Sequence, residues 1–139
     1  MMAPAIVIRL AGVPVGKGRP RFVRSTGRAF TPAATRSYES ALRLAAQEAM
    51  GDRAPLGGAL HVHVAAHFPV PASWSKKRQR AALEGELLPA TKPDVDNLLK
   101  VLDALNEVVW RDDKQIVSAV IWKRYSDAPG LFIKVEPVA

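Results

Sequence analysis

The chain has 139 residues, 48% of them hydrophobic and 24% charged, and its 20 lysines and arginines against 13 aspartates and glutamates give a formal net charge of +7. This length predicts one domain over residues 1–139, and the basic excess favours a polyanionic partner, most often nucleic acid. The absence of cysteine excludes disulfides, thiolate metal sites and cysteine nucleophiles.

The sequence also argues against a membrane partner. No apolar run approaches the roughly 18 residues that are needed to span a bilayer. The first segment, MMAPAIVIRLAG, lacks a basic start, and Arg9 interrupts its apolar stretch, so it makes a poor signal peptide. We therefore expect a cytoplasmic protein.

The first elements in chain order are a strand, a loop, a hairpin and a helix. AIVIRL (Ala5–Leu10) predicts a strand, which ends where glycine and proline break regular structure in AGVPVGKGRPRF. RFVRSTGRAF predicts a small hairpin with Gly27 in its turn. The next stretch predicts an amphipathic helix, with Thr31 as its N-cap, Pro32 at its first position and Gly51 at its end.

The following segment, LHVHVAAHF, predicts a half-buried strand because apolar residues alternate with histidines. Its core-facing residues are Leu60, Val62, Val64, Ala66 and Phe68. We interpret His61, His63 and His67 as occupants of the wetter face of this strand rather than as metal ligands. A proline-rich break then leads to a short basic helix, for which Ser73 is the expected cap.

Two clusters of cations are candidates for contacts with DNA phosphates. The first runs from Lys17 to Arg28, a span that contains no acidic residue, and the second lies in the short basic helix. A solvated charged face is the structural alternative for the second cluster. The predicted DNA-binding residues are Lys17, Arg19, Arg21, Arg24, Arg28, Lys76, Lys77, Arg78 and Arg80.

The segment TKPDVDNLLKVLDALNEVVWRDD, Thr91 to Asp113, places five aspartates in this basic chain. It predicts a helix from Asp96 to about Val109 with apolar residues on one side. The polar stripe of this helix comprises Asp96, Lys100, Asp103 and Glu107. After it, QIVSAVIWKRY and LFIKVEP predict two strands that form an antiparallel hairpin. Helices interspersed with mostly antiparallel strands predict an α+β fold in two layers, with helices packed on a mixed sheet.

The aspartates predict a metal site. Asp94 precedes Asp96 by two positions in an extended stretch, so both side chains can project to one side. A return strand beside the helix start would bring Asp112 or Asp113 back to them. Three carboxylates are hard oxygen ligands that suit Mg²⁺ or Mn²⁺ rather than zinc. The structural alternative is that these aspartates cap helices and turns.

KPDVDNLLKVLDALNEVVWRDDKQIV closely resembles the signature of the RusA family of Holliday-junction resolvases, found in bacteria and prophages. The shared pattern is Asp-x-Asp-Asn-x-x-Lys, then Asp-Ala-Leu, then Asp-Asp-x-Gln-Ile/Val. PVGKGRPRF, RAFTPAATRSYE and FPVPASWSKKRQRAALEG are similar to the phage-type branch of the family, so the resemblance covers nearly the whole chain. It implies a homodimer that hydrolyses phosphodiesters of four-way DNA junctions in recombination and repair.

The resemblance also implies the site residues. It maps the family's catalytic and metal-binding acids onto Asp94, Asp96 and Asp113, with Mg²⁺ or Mn²⁺ as the cofactor, and its essential lysine onto Lys100. Asp112 is the alternative third ligand.

Other assignments stay open at this point. Asp103 matches a recurring position of the family without a defined role, and His67 is a weaker candidate for a general base. The alternatives to a resolvase are a nuclease that prefers other branched DNA and a non-catalytic protein that binds branched DNA.

Overall fold

The computed structural model describes residues 5–138, with the side chain of Arg21 outside the described part. The main strands are β1 (Ile6–Ala11), β4 (Leu60–Phe68), β5 (Ile116–Tyr125) and β6 (Gly130–Pro137). A separate small hairpin comprises β2 (Arg21–Phe22) and β3 (Ala29–Phe30). The helices are α1 (Ala33–Met50), α2 (Lys76–Leu83) and α3 (Val95–Lys100), with 3₁₀ turns at Val101–Leu105 and Asp113–Gln115. Within residues 5–138, no helix is both long and apolar enough to cross a membrane.

The four main strands form one mixed sheet in the order β1-β6-β4-β5. β6 is antiparallel to both of its neighbours, whereas β4 and β5 are parallel. The predicted hairpin of the last two strands is therefore wrong, because β4 lies between them. Residues 126–129 carry the chain past the end of β4, where Ser126 N donates to Phe68 O at 2.8 Å.

The core lies between one face of this sheet and the helical layer, as the two-layer α+β prediction requires. Alternate residues of β1, β4 and β6 are buried, including all five core-facing residues predicted in β4. The helical layer contributes Leu42, Ala46, Met50, Leu98, Val101, Leu102 and Leu105. The opposite face of the sheet stays open, and β4 turns its histidines to that side.

Two helix starts differ from their predictions. Pro32 occupies the N-cap position of α1 with ψ 146°, an extended conformation, so the helix begins one residue later and Thr31 does not cap it. Ser75 rather than Ser73 caps α2, where its Oγ accepts a hydrogen bond from Arg78 N at 3.2 Å. Gly51 ends α1 as predicted.

The aspartate-bearing helix is shorter than predicted. It begins at Val95 because Asp94 caps it, and its regular part ends at Lys100. The chain leaves the following 3₁₀ turn at Asn106, and Glu107 has a positive φ of 67°. Buried Trp110 fixes this exit, since its Nε1 donates to Asn106 Oδ1 at 2.7 Å and its carbonyl accepts from Glu107 N at 2.6 Å.

Candidate active site

The GKG loop, residues 16–18, lies wedged against the start of α3. A Cβ at position 16 would lie 2.7 Å from Pro93 Cβ and 3.2 Å from Asn97 Cβ, so only glycine fits there without a shift. The next residue, Lys17, donates its backbone N–H to Asn97 O at 2.9 Å. The loop is thereby held beside the two aspartates that begin α3.

The same loop is also tied to the start of α1. Gly18 N donates to Thr35 Oγ1 at 3.0 Å, and this bond accounts for a threonine at the buried position 35. A Cβ at position 18 would lie 3.0 Å from Pro32 Cγ. The loop therefore joins the beginnings of two helices, and Lys17 projects between them.

Lys17 forms an ion-pair cluster with two acids, Glu39 in α1 and Asp103 in the 3₁₀ turn that follows α3. Its Nζ lies 2.7 Å from Asp103 Oδ2 and 3.3 Å from Glu39 Oε2. Desolvation opposes the charged amine, but the hydrogen bonds and charges of the two carboxylates outweigh it and raise the pKa of Lys17. The cluster therefore stabilises the position of the loop through partly buried ion pairs as well as through packing.

The two acids of this cluster differ in proton affinity. Burial and the adjacent carboxylate of Asp103 raise the pKa of Glu39. Burial would also raise the pKa of Asp103, but hydrogen bonds from Glu39 and Lys17, together with the charge of Lys17, lower it. Asp103 is thus the anion that pairs with Lys17, and Glu39 is the acid that holds its proton more strongly.

Two adjoining clefts open beside the GKG loop. The first, of about 370 Å³, contains Lys100, Asp103 and Asp113. The second, of about 550 Å³, contains Asp94. Their shared lining residues are Lys17, Gly18, Arg19 and Asn97. The fold therefore brings Asp113 back beside the beginning of α3, with Asp94 in the neighbouring cleft.

Asp94 and Asp96 each make one local contact at the start of α3. Asp94 Oδ1 accepts from Asn97 N at 2.8 Å and so caps the helix. Asp96 pairs with Lys100 one turn later at 3.0 Å, and both side chains are exposed. Because an exposed ion pair of this kind contributes little free energy, the carboxylate of Asp96 is available to another cation.

The two adjacent aspartates after Arg111 have different roles. Asp112 caps the 3₁₀ turn, where its Oδ1 accepts from Lys114 N at 2.9 Å, a bond that lowers the pKa of Asp112. Asp113 lines the first cleft instead. Burial and the nearby carboxylates of Asp112 and Asp103 raise the pKa of Asp113. Negative charge is thus crowded around Asp113, a condition that a bound cation would relieve.

Gln115 fixes the backbone that carries Asp113. Its Oε1 accepts from the backbone N–H groups of Arg111 and Asp112 at 2.9 and 3.1 Å. Its Nε2 donates to the carbonyls of Leu56 and Gly58 at 2.9 and 3.0 Å. Through these four bonds, the side chain of Gln115 connects the aspartate turn to the segment before β4. This connection gives a physical reason for glutamine in the Asp-Asp-x-Gln pattern.

The donor chemistry at the clefts fits a hard divalent cation. Within residues 5–138, no three acidic or histidine side chains are already arranged to hold a metal ion. The convergence of Asp94, Asp96 and Asp113 on one ion therefore stays a prediction. The available groups are nevertheless carboxylate oxygens. Asp113 and Asp94 line the clefts, and one oxygen of Asp94 is used as a helix cap. Asp96 is not among the lining residues of either cleft, and its carboxylate is in an exposed ion pair with Lys100.

Comparison with known proteins identifies the family. A family model described as "Endodeoxyribonuclease RusA" matches residues 11–136. The chain belongs to the RusA family. It is also 35% identical over 133 residues to "Uncharacterized protein YqaN" of Bacillus subtilis (strain 168), an alignment that covers 92% of this chain and 93% of that protein. The resemblance of the aspartate segment is thus confirmed at the level of the family of endodeoxyribonucleases.

The first predicted cation cluster of this RusA-family chain divides into a structural part and an exposed part. Lys17 is held by Asp103 and Glu39, whereas Arg19 lines both clefts. Arg24 and Arg28 are exposed on the hairpin. The side chain of Arg21 lies outside the described part of the structure.

The second predicted cluster lies on α2, which packs against β5 through aromatic rings. Trp74 meets Tyr125 edge-on with ring centroids 5.4 Å apart, and the guanidinium of Arg78 lies 3.9 Å from the centroid of Trp74. Lys76, Lys77 and Arg80 are exposed. The cluster is thus a basic surface that faces solvent, on a helix that contacts β5 through the preceding Trp74.

His67 is positioned away from the clefts of this RusA-family chain. It lies on the open face of the sheet, with its ring centroid 4.9 Å from that of Phe132. Burial and the charge of Arg124 lower its pKa. Its location on the other side of the sheet disfavours it as a general base for chemistry in the clefts.

Sequence reasoning missed three residues that shape the site. Asn97 lines both clefts, and its place in the Asp-x-Asp-Asn pattern is the signal that would have found it. Gln115 was part of the quoted pattern, but its role depends on contacts with residues that are distant in sequence. Glu39 carried no signal, because only the fold brings α1 beside Lys17.

Proposed function

We propose that this protein is a Mg²⁺-dependent endodeoxyribonuclease that resolves four-way DNA junctions by paired phosphodiester hydrolysis, in DNA recombination and repair. The observation that carries the proposal is the first cleft, which Asp113 lines together with Asn97 and Lys100 of α3. Membership of the RusA family supports the reaction class. Acids and a cation at one cleft are the groups that phosphate hydrolysis requires.

Asp94, Asp96 and Asp113 would hold the divalent cation in this proposal. When bound, Mg²⁺ would polarise the scissile phosphate, promote ionisation of a water molecule and stabilise the charge on the attacking and leaving oxygens. Asp112 has a lesser part, because its carboxylate caps the turn. Asp103 would keep Lys17 and the GKG loop in place rather than contact the cation.

Lys100 would neutralise charge on the phosphate. It lines the first cleft and is held by Asp96 at 3.0 Å in the free protein. If Asp96 held the cation, the ammonium of Lys100 would be free to offset the negative charge that accumulates on the phosphate during attack. The ion pair between Asp96 and Lys100 would thus be replaced by a contact of Asp96 with the cation and a contact of Lys100 with the phosphate.

A homodimer suits this substrate. A four-way junction has to be cut on two strands symmetrically, and the chain carries one cluster of predicted catalytic acids. Two chains related by a twofold axis would present two such sites in the symmetry of the junction. The exposed cations of the hairpin and of α2 would contact phosphates outside the clefts.

The test is cleavage of a four-way junction, a three-way junction and a linear duplex in Mg²⁺ and in Mn²⁺. We expect paired, symmetric nicks on the four-way junction alone. Asp96→Asn should lower the cleavage rate by at least about 100-fold and retain junction binding, because the carboxylate binds the cation and repels DNA. Asp127→Asn, at an exposed aspartate beyond β5, is the matched control and should cut at the parent rate.

Each alternative predicts a different result. Cutting of three-way and four-way forms at equal rates would indicate a nuclease for branched DNA in general. Binding without cleavage in either metal ion would indicate a non-catalytic protein. If Asp96→Asn cleaves at the parent rate, the prediction that Asp96 is a catalytic and metal-binding residue is wrong.

A further inference from the structure

The hairpin of β2 and β3 rises from the rim of the first cleft. Pro20, directly before β2, and Thr31, directly after β3, both line that cleft together with Lys100 and Asp113. In residues 5–138, the hairpin pairs with no strand of the main sheet. DNA with a phosphate in the cleft would therefore pass beside the hairpin.

The hairpin is closed by its backbone. Val23 N donates to Arg28 O at 2.8 Å, and Gly27 N donates to Val23 O at 2.8 Å. Gly27 has φ 67°, a left-handed conformation that glycine adopts without strain. The hydrogen bonds that close the turn thus involve neither Phe22 nor Phe30.

Phe22, in β2, is the most exposed large apolar side chain of the described residues, with 71% of its surface accessible. Phe30, in β3, is also exposed, at 42%. Because the ring is exposed to water, the folded protein does not gain the free energy that burial of this apolar surface would contribute. An exposed ring at the rim of a site indicates a ligand that covers it.

The charge around Phe22 identifies the chemistry of that ligand. Arg19, Arg24 and Arg28 are exposed, and no acidic residue occurs between Lys17 and Arg28. A flat apolar ring among cations matches a nucleotide, whose base stacks on the ring while its phosphate meets the cations. Bases inside a duplex have both faces covered, so the matching DNA has a base that has left the stack.

We propose that Phe22 stacks on a nucleobase exposed at the branch point of the DNA, next to the phosphate in the first cleft. Phe22 lies two residues after Pro20, roughly 7 Å of extended backbone from the cleft, so neighbouring nucleotides can occupy the two places. The stack would select branched over linear DNA without reading sequence. This inference takes its substrate from the proposed function.

The test measures affinity for a four-way junction and for a linear duplex of the same sequence, in EDTA. In the junction, 2-aminopurine replaces one base at the branch. We expect the wild type to quench the fluorescence of this base on binding. Phe22→Ala should abolish the quenching and weaken junction binding by roughly tenfold, while affinity for the duplex, which depends on charge, changes less than about twofold.

Two further substitutions separate stacking from simple apolar contact. Phe22→Trp should restore quenching and affinity, and Phe22→Leu, which is apolar but not planar, should not. Leu44→Ala removes a side chain that is 58% exposed on α1, away from the hairpin, and should behave as the wild type. The Trp and Leu variants keep the test decisive if Phe22→Ala does not fold.

The inference is overturned if Phe22→Ala or Phe22→Leu binds and quenches as the wild type does. It is also overturned if Phe22→Leu lowers the sedimentation coefficient of the free protein, because the ring then contacts a second copy of the chain. The proposed activity fails separately. If the wild type quenches the fluorescence of the base but cuts no DNA in Mg²⁺ or Mn²⁺, the proposed nuclease activity is wrong and the stacking proposal still stands.

Discussion

Lys17 and Lys77 carry the same charge, but the fold uses them differently. Lys17 lies between two helices, with its ammonium 2.7 Å from Asp103 and 3.3 Å from Glu39. Lys77 is exposed on α2, and among the described side chains it has no acidic partner within ion-pair distance. The sequence shows two similar cation clusters, whereas the contacts show one member that stabilises the site and another that faces solvent.

The largest expected effect is at the loop that presents Lys17. Gly16→Ala should lower the free energy of unfolding by about 3 kcal/mol, since the new Cβ would lie 2.7 Å from Pro93 Cβ. Urea unfolding measures the change. Gly57→Ala is the matched control, because nothing lies within 4 Å of a Cβ at position 57, and it should change stability by less than about 0.5 kcal/mol. Equal stability of the two variants would show that the loop is not wedged against α3.

The next effect compares the two lysines directly. Lys17→Met keeps the aliphatic stem but leaves Asp103 and Glu39 beside each other without a cation, and it should cost about 2 kcal/mol of stability. Lys77→Met should leave the melting temperature unchanged within error. If both variants melt with the wild type, the ion-pair cluster has no stabilising role.

Lys17→Met should have the larger effect on stability, whereas Lys77→Met should have the larger effect on the salt dependence of DNA binding. Lys77→Met should reduce the slope of log affinity against log salt concentration by about 1, the value for one lost phosphate contact. Lys17→Met, measured where it is folded, should keep a slope closer to that of the wild type, because carboxylates already hold its ammonium. A larger loss of slope for Lys17→Met would support the original prediction that Lys17 contacts DNA phosphates.

The smallest effect concerns pH. The pKa of Glu39 is raised above its ordinary value of 4.5. Its protonated form therefore contributes stability that is fully present below pH 4.5 and is lost as the pH rises through the higher pKa of the folded state. Glu39→Gln should thus be more stable than the wild type at pH 7, by less than about 1 kcal/mol, and this advantage should vanish near pH 4. Thermal unfolding across this pH range measures it, and a pH-independent difference would contradict the assignment.

Patterns that depend on near neighbours in sequence predicted much of the fold. The alternation in β4, the periodicity of α1 and Gly27 in the hairpin turn all appear where expected. The pairing of β5 could not be predicted, because β6 and β5 both pair with β4 and only the assembled sheet shows that β4 separates them. Trp110 likewise ends the aspartate helix through contacts made only in the folded chain.

For the same reason, the sequence indicated only some of the residues that the fold brings together at the candidate site. The aspartate pattern located the start of α3 and the turn before β5, and the structure places Asp113 and Lys100 in one cleft. It did not indicate that Asp112 is occupied as a cap or that Asp103 belongs to the Lys17 cluster. Those roles depend on which side chains the GKG loop and α1 bring nearby.

β6 is the last strand of the described chain, yet it is an inner strand that bonds to both β1 and β4. During synthesis on the ribosome, β1 has no neighbouring strand in the sheet until residues 130–137 have been added. Residues 6–137 must therefore leave the exit tunnel before the sheet can close. A nascent chain of this protein consequently exposes its basic segments before the candidate site has folded.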